Sequence, residues 1–418
     1  MHWHKYARIN IGLKENEKMV KVAIFGYGTV GSGVFEVINK NNEIIQKKLG
    51  NELEVKYVLD LRDFENDPVQ DVLVHDVEVI LNDPEVAIIC ETMGGVKPAY
   101  EFTKRALESG KSVCTSNKEL VEKHGAELIK VAKAHNCSYL FEASVGGGIP
   151  IIRPLITSLA QEEVESITGI LNGTTNYILT KMELDGADFE AVLKRAQEKG
   201  YAEANPEADV CGYDAGRKIA ILTSLAYGKN VDFADIYTEG ITAITKADFT
   251  YAKQMDSTIK LFAKSVNKNG KYYAMVAPFV VNSENPLSAV KNVFNAVLVK
   301  GNMVADTMYY GKGAGKLATA SAVVADVIDC AKHLGKHVNI VWEDEKLEIS
   351  PIDSASRRFF VRVASTDKDA IEQNFGKVEF LESVSADECG FVTGEMTESE
   401  YKAKAEKAGN VINMIRMD

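Results

Sequence analysis

Residues 20–33 read Val20-Lys21-Val22-Ala23-Ile24-Phe25-Gly26-Tyr27-Gly28-Thr29-Val30-Gly31-Ser32-Gly33, and the fold turns on this stretch. Residues 20–25 form a short, apolar, β-rich run. Beyond the glycines, Val30, Val34, Val37 and Ile38 recur at helical spacing. The glycines therefore sit between a strand and an amphipathic helix, the context that gives a GxGxxG pattern meaning. Gly26 permits the tight turn, Gly28 lets a pyrophosphate approach the backbone, and Gly31 allows close helix–strand packing. The helix N-terminus, at Thr29 and Val30, offers free amides and a positive dipole end to phosphates. The plainer alternative is a structural strand–turn–helix corner.

Further strands are predicted at 54–59 (EVKYVL), 86–90 (VAIIC) and 112–115 (SVCT), with helices at 99–109 and 119–134 between them. This alternation predicts an α/β fold with a Rossmann-type, doubly wound parallel sheet. Asp60, at the end of the second strand, could hold a ribose diol and favour NAD. Arg62, two residues on, could instead meet the 2′-phosphate of NADP. A salt bridge between the two is equally compatible, so the preference stays open.

The formal charge of −12 argues against a nucleic-acid or anionic-membrane surface, though not against a small anionic substrate. Six scattered cysteines with no CxxC pair read as a reduced, cytoplasmic chain. No apolar run approaches the length of a membrane span. Residues 1–19 are polar, lack the apolar centre of a secretory signal and read as a disordered extension, or as a start placed before Met19.

From about 144 the texture changes. Glycine and proline cluster at 144–150, a boundary loop between a dinucleotide domain at 20–143 and a mixed helix–strand domain at 144–310. A second glycine cluster, Gly311-Lys312-Gly313-Ala314-Gly315, opens an apolar helix at 317–334, and 311–335 would complete the first domain. Residues 343–356 are charged, show no period and read as a flexible linker. Residues 357–418 run βαββαβ, a ferredoxin-like order.

The chemistry lies in the middle. Gly173-Thr174-Thr175-Asn176-Tyr177 is a small polar turn that could be no more than a helix cap. The segment 199–222, KGYAEANPEADVCGYDAGRKIAIL, is a Gly-, Pro- and acid-rich loop leading into a helix. On that helix Asp214 and Lys218 are four apart and share a face, in the favourable acid-first order. A solvated ion pair is the bland reading, but the flanks are apolar and glycine-rich. Desolvation lowers a lysine's pKa and a carboxylate orients it, so Lys218 is a candidate for proton transfer at an alcohol or carbonyl.

These blocks resemble homoserine dehydrogenases along essentially the whole chain beyond Met19. GYAEANPEADVCGYDAGRKIAIL is similar to that family's signature, which usually reads GYAEADP; Asn205 stands where Asp is common. LNGTTNYIL at 171–179, TSNKEL at 115–120, EASVGGGIP at 142–150, and GKGAG with TASAVVAD at 311–326 resemble further family blocks. The resemblance implies reversible, NAD(P)-dependent interconversion of aspartate β-semialdehyde and homoserine, in threonine and methionine biosynthesis. It implies Lys218 as proton donor or acceptor with Asp214 as its partner. Glu203 and Asp209 would hold the substrate ammonium, Lys118 would lie near substrate and nicotinamide, and Thr174, Asn176 and Tyr177 would shape the floor. The cofactor set would be Gly26, Gly28, Thr29, Val30, Gly31, Asp60, Arg62, Thr92, Ser116, Lys118 and Gly313. Glu142, with the carbonyls of Val145, Gly147 and Ile149, would bind a monovalent cation, sodium or potassium. A homodimer built through the middle domain is also implied.

Residues 357–418 resemble an ACT domain, a βαββαβ module that binds amino acids, which implies threonine as an effector; a tail that only builds an oligomer interface is the alternative. His333 and His337 are four apart on the predicted helix but have no third ligand, and His2 and His4 lie in the extension. Two rival readings are a dehydrogenase for another amino-acid aldehyde, and a nucleotide-sensing regulatory protein. A sensor would have no need of Lys218 and its acidic neighbours.

Overall fold

The structure is a computed structural model and describes residues 19–418. Apart from Met19, the expectation for 1–19, with His2 and His4, lies outside the described residues. The nucleotide domain runs β1 (Val20–Phe25), α1 (Thr29–Leu49), β2 (Leu53–Leu59), β3 (Leu73–Val74), α2 (Val77–Leu81), β4 (Val86–Glu91), α3 (Ala99–Glu108), β5 (Ser112–Thr115), α4 (Lys118–Ala134) and β6 (Tyr139–Leu140). All its strand pairs are parallel, in the order β3-β2-β1-β4-β5-β6. The order reverses between β1 and β4, and ligands bind outside the carboxyl ends of strands at such a switch point. Gly26 turns the chain there with φ +89°, a conformation side chains resist. A Cβ on Gly31 would stand 1.9 Å from the Gly26 carbonyl, so this glycine is required by the turn itself.

The middle domain continues with β7 (Val164–Ile170), α5 (Gly173–Asp185), α6 (Phe189–Glu198), α7 (Glu207–Val210), α8 (Tyr213–Tyr227), β8 (Lys229–Asn230), β9 (Tyr237–Thr238), α9 (Lys246–Gln254), β10 (Ser257–Lys268), β11 (Lys271–Asn282), β12 (Phe294–Gly301), β13 (Ala305–Lys312) and α10 (Lys316–Lys332). Asn269 and Gly270, both at positive φ, form the two-residue turn of the β10–β11 hairpin, as strand twist favours. Helices α5 and α8 pack on the sheet through apolar faces, with Ile178, Leu179, Ile219 and Leu222 fully buried. Helix α10 returns along α1, Gly33 facing Ala320.

The expectation of a flexible linker at 343–356 is corrected. After Trp342, whose ring packs on Gly125, β14 (Glu343–Lys346) pairs with β8, and Leu347 and Ile352 are buried. The Ser350 amide donates to the Tyr272 carbonyl at 2.7 Å. Charged residues hide this from a periodicity reading, yet the few apolar side chains dock the strap against the middle domain.

The tail runs β15 (Ser356–Arg357), β16 (Phe359–Val363), α11 (Lys368–Phe375), β17 (Glu379–Phe380), β18 (Cys389–Val392), β19 (Met396–Thr397), α12 (Glu398–Ala408) and β20 (Val411–Met417). Its strands order as β20-β16-β18-β17, the sheet of a ferredoxin-like unit, with β17 only two residues long. The unit is not free-standing. β20 pairs with β11, with Phe279 opposite Arg416, and joins both sheets into one ten-stranded sheet. Fully buried Arg416 donates to Glu398 at 2.6 and 3.0 Å and to Glu239 at 2.6 Å. Arg362 of β16 reaches Asp248 of α9 at 3.0 Å.

Candidate active site

Helix α5 starts where β7 ends, and Asn172 caps it by accepting the Thr175 amide at 2.8 Å. The same side chain donates to Asp209 at 2.7 Å and to Asp214 at 3.0 Å, so one cap residue fixes both acids. Asp214 sits in the first turn of α8, where a helix favours negative charge. Its Oδ2 accepts Lys218 at 2.6 Å and its Oδ1 lies 2.9 Å from the Lys118 ammonium at the start of α4. Lys218 also donates to the Leu171 carbonyl at 2.8 Å.

These groups line a cleft of about 570 Å³ together with Ser116, Ser144, Thr174, Tyr201, Lys312, Gly313 and Thr319. The loops 144–150 and 311–315 meet at its wall; a Cβ on Gly147 would stand 2.3 Å from the Gly313 carbonyl, so only glycine fits. Burial pushes the Asp214 carboxyl up, but Lys218, Lys118 and the Asn172 amide outweigh it and hold the group well below the usual carboxylate range. Burial pushes Lys118 down, and Asp214 overcomes this to raise it. Burial and the neighbouring Asp214 raise Asp209, with Asn172 opposing. The cleft thus holds a fixed anion between two cations, with Asp209 facing in.

A second cleft, of about 540 Å³, lies over the carboxyl ends of β1, β2 and β4 and is lined by Gly26, Gly28, Asp60, Arg62, His75, Thr92 and Met93. The first-turn amides of Thr29, Val30 and Gly31 in α1 are free of helical bonds. Thr92 donates to the carbonyl of Gly26 at 2.8 Å and so braces the glycine turn. Asp60 accepts Tyr27 N–H at 2.8 Å and two guanidinium bonds from Arg62, at 2.9 and 3.0 Å. The Arg62 bond, above all, holds Asp60 well below the usual carboxylate range. The conflicting sequence cues are therefore one ion pair at the crevice mouth.

Several expected site residues stand elsewhere. Asn176 is buried and donates to the carbonyls of Val290, Asn292 and Phe294, so it holds a loop rather than shaping the cleft floor. Tyr177 packs edge-on against Tyr201, ring centroids 5.1 Å apart, behind the cleft wall. Glu203 is exposed on the loop between α6 and α7 and does not line the cleft. The Glu142 carboxylate accepts the amides of Ile151, Ile152 and Arg153 at 2.6, 2.8 and 2.7 Å, which engages both its oxygens. His333 follows the end of α10 and His337 lies beyond a turn, bonded to the Cys137 carbonyl, so they share no helix face. Among the described residues no cluster of three or more His, Cys, Asp or Glu side chains could hold a metal, and no helix is long and apolar enough to cross a membrane. The sequence reading missed Asn172; its place before Gly-Thr-Thr at a helix start was the available signal.

The family model described as "Homoserine dehydrogenase, NAD binding domain" matches residues 26–142, and that described as "Homoserine dehydrogenase" matches residues 150–328. A homoserine dehydrogenase from Synechocystis sp. is 38% identical over 416 residues, covering 93% of this chain and 95% of that one. The crystal structure of a homoserine dehydrogenase from Thiobacillus denitrificans superposes with a TM-score of 0.87 at 33% identity, covering 96% of this chain and 98% of its own. A hyperthermophilic archaeal homoserine dehydrogenase in complex with NADPH aligns at a TM-score of 0.64 and 28% identity, over 78% of this chain and all of its own, at 100%. A dinucleotide crevice opening beside an Asp clamped by two lysines and matches along both domains agree: the chain belongs to the homoserine dehydrogenase family.

Proposed function

We propose that this cleft interconverts homoserine and aspartate β-semialdehyde, with reduction of the aldehyde as the biosynthetic direction toward threonine and methionine. The observation that carries the reading is Asp214 bridging Lys118 and Lys218 inside a cleft next to the dinucleotide crevice. When bound, the nicotinamide supplies or takes up the hydride. Lys218 spends two donors on Leu171 and Asp214, leaving one N–H of the ammonium for the substrate oxygen. In reduction that proton goes to the forming alkoxide; in oxidation the neutral amine takes the hydroxyl proton. Lys118 adds positive charge beside the same oxygen. Asp209 holds the ammonium of the amino acid, and Thr174, bonded to the Tyr201 carbonyl at 2.6 Å, keeps that loop against the cleft. For Glu203 to share in ammonium binding, the loop 199–206 must fold over the bound substrate.

Asp60 suits a ribose diol and Arg62 a 2′-phosphate at the crevice mouth, and the NADPH complex of the archaeal relative supports the phosphorylated form. A monovalent cation suits the loop 142–149. No hydrogen bond among the described residues ends on the carbonyls of Val145, Gly147 or Ile149, and hard cations take such oxygens. Glu142 serves there through the loop it pins rather than through its carboxylate. The ferredoxin-like tail supports an ACT-type role with threonine as effector, and a homodimer through the middle domain accords with the family. A spectrophotometric assay at 340 nm with homoserine and each cofactor tests the core reading: turnover supports it, and none with either cofactor rejects it.

A further inference from the structure

The Glu91 side chain is fully buried at the carboxyl end of β4, one residue before Thr92, and the chemistry above makes no use of it. Its Oε1 accepts the Met93 amide at 2.8 Å, and its Oε2 accepts the Thr115 hydroxyl, at the end of β5, at 2.5 Å. Thr115 Oγ1 accepts the Asn117 amide at 2.9 Å, and the Asn117 side chain donates to the Gly95 carbonyl at 2.6 Å. Asn117 is also the cap of α4, accepting the Leu120 amide at 3.2 Å, and the next residue is Lys118. The bonds close a ring. One side of it is the loop that follows β4; the other is the first turn of the helix that carries Lys118.

Two observations set this ring apart from ordinary packing. Its sides belong to different clefts: Met93 lines the dinucleotide crevice, and Lys118 lines the cleft that holds Asp214. And the carboxyl is costly where it stands. No lysine or arginine among the described residues counters its charge; only the Thr115 hydroxyl, the Met93 amide and Asn117 oppose the burial that pushes it up to about 7. Tyr139 of β6, itself buried and raised, lies across from it. A buried carboxyl without a counter-ion is expensive for a fold that needs only an apolar side chain there.

We propose that Glu91 is a positioning residue that ties the dinucleotide-side loop to the helix start bearing Lys118, so that cofactor binding and the placement of the catalytic ammonium are coupled. The proposal rests on the roles given above to Lys118 and the crevice. Thr115→Val removes the hydroxyl at constant shape, Thr115→Ser restores it, and at pH 8, where the carboxylate accepts both bonds, Glu91→Gln replaces one acceptor by a donor that faces a donor. NADPH fluorescence titrated without homoserine gives the cofactor Kd, and steady-state rates give kcat and the homoserine KM. Thr115→Val and Glu91→Gln should lower kcat by roughly tenfold or more and raise the NADPH Kd roughly threefold, with the homoserine KM within about twofold. Thr115→Ser should stay within about twofold of the unmodified enzyme throughout. Wild-type kcat and Kd in Thr115→Val overturn the proposal, as does Thr115→Ser impaired as badly as Thr115→Val. If Glu91→Gln fails to fold, the Thr115 pair decides alone. Undiminished turnover in Lys118→Ala would strike the reading of Lys118 instead, and leave the NADPH Kd of Thr115→Val to judge the ring.

Discussion

Oδ1 of Asp214 lies 2.9 Å from the Lys118 ammonium while Oδ2 lies 2.6 Å from that of Lys218. One carboxylate therefore joins cations contributed by two domains, from α4 and from α8. Without it, two like charges would share a cleft, and Lys118 would lose the partner that raises it against burial. Asp214→Asn should leave NADPH binding intact and lower kcat by about a hundredfold or more. The sign of the pH effect follows from Lys118, which Asp214 raises against burial. Lys118 lends its charge to the forming alkoxide only while protonated, so reduction slows as pH rises through its pKa. Removing the carboxylate should shift that basic limb to lower pH. Profiles of kcat for aldehyde reduction measure it, and an unmoved limb would count against the bridge.

Lys218→Ala should bind NADPH normally and lose nearly all turnover. Lys218→Arg should also be poor, because a guanidinium does not give up its proton. Asp209 faces the cleft and Glu203 does not, so Asp209→Asn should raise the homoserine KM about tenfold or more, and by more than Glu203→Gln. The reverse ranking would mean that the loop 199–206 closes to bring Glu203 onto the substrate.

Much of this was legible in the chain, for physical reasons that differ by residue. Gly26 and Gly31 after β1 carry backbone requirements that no other residue meets, so the nucleotide domain reads directly. Asp214 and Lys218 read because helical spacing fixes their neighbourhood. What the sequence hides is convergence. Lys118 reaches Asp214 across 96 positions, and nothing local announces it. Asn176 and Asn172 stand four apart with the same side chain, yet one faces a loop and the other the acids. The strap at 343–356 looks like a linker because its anchors, Leu347 and Ile352, are isolated apolar residues whose partners are distant.

The pairing of β20 with β11 changes what truncation can test. Ending the chain near Ser350 would open the β11 edge and leave Asp248 and Glu239 without their arginines, so such a chain should aggregate rather than act as a free catalytic core. Arg416→Ala makes the point within the full chain. Both Arg416 and its partner Glu398 are fully buried, and stripping one member from such a pair costs roughly 3–5 kcal/mol. A thermal melt should show a loss of several degrees or more. A change of less than about one degree would mean that the tail is held mainly by other contacts. Threonine sensitivity is therefore best tested by titrating the intact enzyme.

Cofactor choice should hinge on the Asp60–Arg62 pair. Asp60→Ala removes repulsion of a 2′-phosphate and frees a guanidinium that already borders the crevice. The NADP/NAD ratio of kcat/KM should rise by about tenfold. Arg62→Ala should lower it, leaving an unpaired carboxylate for a ribose diol. Ratios unchanged in both variants would remove this pair from cofactor selection.

Glu91 predicts a dependence of stability on pH that is opposite to that of a salt-bridged acid. Its carboxyl is raised from the ordinary 4.5 to about 7, with burial as the main cause. Between those two values the folded chain keeps a proton that the unfolded chain has released. Stability must therefore fall as pH rises through that window. A shift of this size corresponds to roughly 3 kcal/mol, fully lost above the folded value. Asp326, raised by its own burial, has the same sign, so the slope of the unmodified protein is not assignable to one residue. The difference between that protein and Glu91→Gln is. Gln carries no charge to desolvate, so the variant should lose part of the slope between pH 5 and pH 8. It should be at least as stable as the parent at pH 8 while turning over more slowly. Midpoints of thermal unfolding at several pH values decide it. Parallel curves would mean that Glu91 stays ionised throughout, or that its proton is never released on unfolding in that range.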